Sequence, residues 1–200
     1  MTPPPKLPVR QRLLAAADDL FYNEGVQTVG VDRVIEQADV AKATLYRTFG
    51  NKEQLVAAYL RARHEAMLSR LAQSIACESD PHARILAVFD TQTAWINRKT
   101  WRGCPFARAS AEPSVGPLVQ READEYRADI RALLTDLAAA AGASAPAVLG
   151  WQLCLLYHGI AVEVDPVKRR SATAARRAAV ETLIDAAITD GGSSTDHHRG

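Results

Sequence analysis

The stretch Val31-Asp32-Arg33-Val34-Ile35-Glu36-Gln37-Ala38-Asp39-Val40-Ala41-Lys42-Ala43-Thr44-Leu45-Tyr46-Arg47-Thr48-Phe49-Gly50-Asn51-Lys52-Glu53 decides the fold of this chain. Val31, Val34, Ile35 and Ala38 recur at intervals that gather apolar groups on one helical face. Asp39-Val40 interrupts that helix, because Asp tolerates a left-handed backbone or an Asx-type turn and Val40 can tuck under the corner. A second helix starts by Ala41, and Leu45 and Phe49, four apart, hold it to a small core. Lys42, Ala43, Thr44, Tyr46 and Arg47 are left facing outward. Gly50 ends this helix and Asn51 caps the next, with Gln54 placed as the partner of a capping box.

A short exposed helix with a Lys, an Arg, a Thr and a Tyr so closely set has the reach for phosphates and base edges in a major groove. Arg47 and Thr44 suit base edges, and Lys42 and Tyr46 suit phosphates. Lys52 lies in the first turn of the following helix, beside free N–H groups and a positive dipole end, where it makes a second phosphate anchor. Two short amphipathic helices joined by a turn also occur in bundles that never touch DNA, so the pattern alone leaves both readings open.

The run Gly25, Val31, Val34, Ala38, Val40, Lys42, Thr44-Leu45-Tyr46, Phe49 and Lys52-Glu53, preceded by Leu13-Leu14-Ala15-Ala16-Ala17 and Leu20-Phe21, resembles the N-terminal domain of the TetR family of transcriptional regulators. The likeness covers about residues 9 to 60. It implies that the helix after the turn is the recognition helix, with Lys42, Ala43, Thr44, Tyr46, Arg47 and Lys52 as DNA contacts. Two positions depart from the family pattern: Asp39 stands where a turn glycine is common, and Ala41 where a capping Ser or Thr is common. Ala is a poorer cap by about 1 kcal/mol, so the recognition helix is expected to fray in free protein unless Asp39 supplies the cap. The resemblance further implies a homodimeric repressor on a palindromic double-stranded operator. A small-molecule effector would occupy a cavity between the long fourth helix and the dimer helices, shift the fourth helix, and release the DNA.

Outward from this stretch, the first helix runs to about Asn23 with Leu13, Ala17, Leu20 and Phe21 toward the core, after a loose Pro3 to Pro8 arm. Arg10 and Arg12 near its start have two readings, a contact to phosphate or minor groove and a flexible solvated tail. A net charge of +1 carries no global basic excess. Through residue 50 Lys6, Arg10, Arg12, Arg33, Lys42 and Arg47 are matched by Asp18, Asp19, Glu24, Asp32, Glu36 and Asp39. Ala41 to Phe49 nevertheless carries Lys42 and Arg47 with no acid, so the basic face is local and predicts a modest salt slope.

Composition completes the outline. Aromatic residues make up 6% of a chain that is 48% hydrophobic and rich in Ala and Leu, which predicts an all-α fold with a sizeable core. A fourth helix runs from Asn51 without Pro or Gly until Pro81, joining the N-terminal three-helix domain to a C-terminal helical bundle. Asp80-Pro81 opens a fifth helix, a turn from Thr100 to Phe106 leads to a short one, and a long one spans about Pro117 to Ala141. Ser144 is expected to cap a helix opened by Pro146 and closed before Pro166, and the last helix covers roughly Val167 to Thr189. The expected division is residues 1–52 for the arm and DNA-binding domain, 53–190 for effector binding and dimerisation, and 191–200 for a disordered tail holding His197-His198.

In the helix opened by Pro146, Leu149, Leu153, Leu156 and Ile160 make one apolar face, and Trp151, Leu155 and Val162 with Gly159 make another. A helix apolar on two faces needs two burial partners, and a second copy of the chain is the expected second one. Ala175, Ala179, Leu183 and Ala186 add a small-residue ridge on the last helix. The expected dimer contact therefore comprises Leu155, Gly159, Val162, Ala175, Ala179 and Leu183. Candidate ligand contacts are Trp95, Trp101, Phe106, Tyr126, Trp151 and His158, bulky or polar-tipped residues in the helices around the implied cavity, although core packing is the plainer role for each.

Lys168, Arg169, Arg170, Arg176 and Arg177 read as a solvated face. Glu122, Asp124 and Asp129 read as surface carboxylates without a nearby His or ligand pattern, and no G-x-S-x-G, P-loop or H-E-x-x-H is present, so no catalytic residue, cofactor or metal is expected. Three cysteines without regular spacing fit a reducing compartment. Cys104, after Arg102-Gly103 at a helix start, is the one thiol with a sensor reading beside that of a small buried hydrophobe. Residues 1 to 12 lack an apolar signal region, and the run Ala147 to Val164 falls short of the about 20 apolar residues a bilayer needs. A cytoplasmic protein with no membrane partner is expected. The runner-up reading is a helical ligand-binding or thiol-based sensor module whose DNA contact is secondary.

Overall fold

The computed structural model describes residues 7–112, 116–162 and 165–189. The tail 191–200 and residues 3–6 of the arm lie outside the described residues. The helices are α1 (Val9–Glu24), α2 (Val31–Ala38), α3 (Lys42–Phe49), α4 (Lys52–Ala76), α5 (Pro81–Ile96), α6 (Pro105–Ser110), α7 (Pro117–Ala140), α8 (Pro146–Gly159) and α9 (Pro166–Thr189), with one 3-10 turn at Ile160–Val162. No strand occurs among the described residues, and the expected all-α class is found.

Two compact units divide the chain, the first made of Met1–Glu65 and Cys104–Glu125, the second of Ala66–Gly103 and Tyr126–Gly200. The first therefore reaches past residue 52 and recruits a distant segment. Its core holds Leu13, Ala17, Val34, Leu45, Leu55 and Leu60, all fully buried, and the rings of Phe21 and Tyr59 meet edge to face at 5.7 Å. Polar clasps join the two segments. Arg108 Nη1 donates to the Tyr22 carbonyl at 2.6 Å, Glu112 Oε1 accepts the Val26 N–H at 3.0 Å, and Glu53 Oε1 accepts the Leu118 N–H at 2.8 Å. Glu122 is almost wholly buried and paired with Arg61, whose Nε donates to Oε2 at 3.2 Å. That corrects its reading as a surface carboxylate: a buried carboxylate persists only with such a partner.

The second unit packs Ile85, Ile96, Ile130, Leu134, Leu149, Leu153, Val180 and Ile184 into its interior. Asp80 Oδ2 accepts the Ala83 N–H at 2.8 Å, the cap expected ahead of Pro81. At α8 the expectation fails. Ala145 is the N-cap residue and makes no side-chain cap bond, while the Ser144 N–H donates to the Ala187 carbonyl at 3.0 Å. The Ser144 main chain thus fastens the start of α8 to α9, and α8 itself closes at Gly159. A Cβ on Gly150 would stand 2.9 Å from the Thr135 backbone, so α7 and α8 touch there through their main chains.

Arg176 is the largest departure on α9. It is 94% buried by its 6% relative exposure, and its guanidinium donates to Gln92 Oε1, to Thr93 Oγ1 at 2.6 Å and to the Phe89 carbonyl at 3.3 Å. Arg169 is buried as well, so two members of the supposed solvated face turn inward. Lys168, Arg170 and Arg177 remain exposed, with Arg177 on Asp90 at 2.6 Å. An Ala-rich helix has too weak an apolar stripe to fix which side its arginines take, and the polar groups of α5 settle it here.

Candidate nucleic-acid interface

The surface of α3 is built from its two anchors. Leu45 and Phe49 are buried, and this fixes the rotation of the helix so that Lys42, Ala43, Tyr46 and Arg47 are exposed and Thr44 is partly so. Thr44 donates its backbone N–H to the Ala41 carbonyl at 2.9 Å, and the Thr48 hydroxyl donates to the Thr44 carbonyl at 2.7 Å. Tyr46 stands 43% exposed, a ring tipped with a hydroxyl on an otherwise polar face.

Asp39 ends α2 in the left-handed region, at φ 52° and ψ 58°, the one non-glycine residue with positive φ among the described residues. Such a conformation costs an L-residue about 1 kcal/mol or more, with Asp among the most tolerant. Ala41 is the N-cap residue of α3 and makes no side-chain cap bond. The Asp39 carboxylate approaches Arg12, with Oδ2 3.8 Å from Nη1. Arg12 Nη1 also donates to the carbonyls of Ala38 and Asp39, each at 2.8 Å. Arg12 is thus neither a flexible tail nor free for the minor groove. Arg10 lies with its guanidinium 5.6 Å from the Phe49 ring centre.

At the other end of α3, Gly50 takes φ 80° and donates its N–H to the Tyr46 carbonyl at 2.8 Å. Asn51 Oδ1 accepts the Gln54 N–H at 2.8 Å, capping α4 as expected. Lys52 is drawn partly inward, and burial pushes its ammonium pKa down, opposed by the charge of Glu112. It lines a cavity of about 230 Å³ with Val26, Glu53, Val56 and Glu112. Lys42 is exposed, with Nζ 2.8 Å from Asp32 Oδ1, and that hydrogen bond and charge raise its pKa. Neither this pair nor the Arg12 contacts has a local sequence signal, because each joins different helices.

The candidate ligand residues have these neighbours. Trp95 and Trp101 meet edge to face at 4.7 Å, and Tyr126 meets His158 at 5.7 Å. Phe106 belongs to the first unit, against His64 at 6.2 Å. Trp151 stands 52% exposed with the Arg131 guanidinium 4.4 Å from its ring centre, on the outer side of α8. His158 Nε2 is buried without a hydrogen-bond partner, and burial, helped by Arg127, lowers its pKa to about 4. It is not the satisfied polar core residue that a buried histidine ordinarily is.

Of the candidate dimer residues, Leu155 is 68% exposed, Gly159 and Ala175 are exposed, and Ala179 and Leu183 are half-buried. The Val162 side chain lies outside the described residues. Val148 and Trp151 share the outer side of α8 with Leu155. Cys104 and Cys154 are buried and Cys77 is exposed, all as free thiols. Among the described residues no His, Cys, Asp and Glu cluster could hold a metal ion, and no helix is long and apolar enough to cross a membrane.

Residues 13–59 match the family described as bacterial regulatory proteins, tetR family. The chain is 30% identical over 81 residues to the transcriptional activator FasR of Mycolicibacterium smegmatis, covering 40% of this chain and 37% of that protein. It is 30% identical over 105 residues to the transcriptional repressor NemR of Escherichia coli, covering 52% of this chain and 53% of that one. The chain thus spans about half or less of the length of these relatives. The fold is shared more widely. A TetR-family regulator from Streptomyces coelicolor superposes with a TM-score of 0.81 at 26% identity, covering 90% of this chain and 96% of that one. A putative TetR regulator from Streptomyces avermitilis does so at 0.77 and 29%, covering 90% and 98%. The helix-turn-helix segment is thus matched directly by the tetR family, and most of the chain's length is similar in fold to these regulators.

Proposed function

We propose that this protein is a DNA-binding transcriptional repressor that reads a palindromic operator as a homodimer and is released by a small-molecule effector. The observation that carries the reading is α3, whose two apolar anchors leave Lys42, Ala43, Tyr46 and Arg47 exposed, with Thr44 half-buried beside them. Arg47 and Thr44 read base edges, and Lys42, Tyr46 and Lys52 hold phosphates. The exposed Val148, Trp151 and Leu155 support a second copy of the chain against α8, since an apolar stripe of this kind on a helix marks an interaction surface. FasR is named an activator and NemR a repressor, so the sign of regulation rests on the reading of effector release.

A gel shift on the DNA upstream of the protein's own gene tests the core of this reading. Arg47→Ala with Lys42→Ala is expected to abolish the shifted band, and an unchanged band would overturn the regulator reading. Screening small molecules for loss of the wild-type band tests effector release, with no releasing compound in a broad screen counting against it.

A further inference from the structure

Arg12 is where the turn of the helix-turn-helix is held from outside. Its Nη1 donates to the carbonyls of both Ala38 and Asp39 at 2.8 Å, the last carbonyls of α2, which have no partner within the helix. A guanidinium at a helix C-terminus also opposes the negative end of the helix dipole. The residue it grips, Asp39, carries a left-handed backbone at φ 52° without glycine's freedom, and two residues later Ala41, the N-cap residue of α3, makes no side-chain cap bond. Arg12 comes from α1 and lies 26 and 27 residues away in sequence, so it ties α1 to the turn that sets the direction of α3.

We propose that Arg12 is a positioning residue for DNA reading: it clasps the Ala38-Asp39 turn and so pre-sets the recognition helix, the work that a glycine's backbone freedom and a capping hydroxyl would otherwise share. This rests on the assignment of α3 as the DNA-reading helix. The clasp acts on geometry and not on phosphate, which separates it from the nearby cations. Losing Lys42 or Lys52 removes counterion release, whereas losing Arg12 loosens α3 and leaves the charge pattern of its surface intact.

The test uses the full chain and a duplex selected from random DNA by the wild-type protein. Arg12→Ala is expected to weaken binding to that duplex about tenfold, the scale of one lost hydrogen bond to a charged group. The slope of log K against log salt stays unchanged, and binding to a scrambled duplex at low salt stays close to wild type. Asp39→Gly alone changes affinity little, and in the Arg12→Ala background it restores most of the loss, because glycine takes this backbone unaided. A slope that falls by about 0.9 with no rescue would make Arg12 a phosphate contact and overturn the proposal. So would an Arg12→Ala protein that binds like wild type. Thermal unfolding of the same four proteins without DNA gives an independent cycle: coupled shifts in Tm support the clasp, and additive shifts overturn it. If the wild type enriches no duplex at all, the DNA reading fails, and the thermal cycle still decides whether the clasp exists.

Discussion

The Lys42 ammonium is already engaged, since Asp32 Oδ1 stands 2.8 Å from it, and the proposed contact of Lys42 with DNA competes with that pair. A phosphate must displace that carboxylate, and the carboxylate itself repels the duplex. Asp32→Ala is therefore expected to tighten DNA binding, and more at low than at high salt, because exposed charges are screened. Anisotropy titrations at two salt concentrations check this, and equal or weaker binding would show that Asp32 does more than compete. His158 sets a pH limit elsewhere. Its pKa falls from 6.5 in the open chain to about 4 in the fold, so the unfolded state binds the proton first as pH drops. Stability from this residue is intact above pH 6.5, declines between 6.5 and 4, and is fully lost below. The Tm of His158→Gln should fall less steeply than wild type across that window, and parallel curves would remove His158 as the cause.

On the outer side of α8, Val148, Trp151 and Leu155 present an apolar stripe that no other described element covers to below half exposure. Leu155→Glu with Trp151→Glu should give a monomer in sedimentation velocity while far-UV helicity persists, because these side chains leave the protomer's own core untouched. A persistent dimer would place the contact elsewhere. Elements whose signals are local were legible in the sequence: Asn51 and Asp80 cap where expected, Pro81, Pro117 and Pro146 open helices, and Leu45 with Phe49 fix the outward face of α3. What escaped depends on partners far along the chain. Arg176 turns inward because Gln92 and Thr93 await it, and Glu122 because Arg61 does, and neither helix pattern carries that information. At α8 the N-cap position falls on Ala145, one residue beyond Ser144, and the Ser144 N–H bonds the distant Ala187 carbonyl. Bulk is the one signal the sequence offers for a ligand contact, and bulk serves core packing as readily as a pocket: Trp101 and Tyr126 are buried, and Trp151 faces out.

At the scale of the whole molecule, a net charge of +1 leaves little long-range attraction to DNA, so the proposed recognition rests on contacts repeated by symmetry. A dimer reading two half-sites about 34 Å apart depends on both lying on one face of the duplex. Inserting about five base pairs, half a helical turn, between the half-sites of the selected duplex should abolish tight binding in a gel shift. Retained affinity would mean that one subunit suffices or that the pair is loosely hinged.

The first unit is assembled from Met1–Glu65 and Cys104–Glu125, and this fixes an order of events during synthesis. When the ribosome has released α3, the partners of Tyr22, Val26, Arg61 and the Glu53 carboxylate have not yet been made. The nascent N-terminal segment must wait for Arg108, Glu112, Leu118 and Glu122 before its clasps can close. A chain broken off before residue 104 would keep every exposed side chain of α3 and still lack the segment that completes their unit.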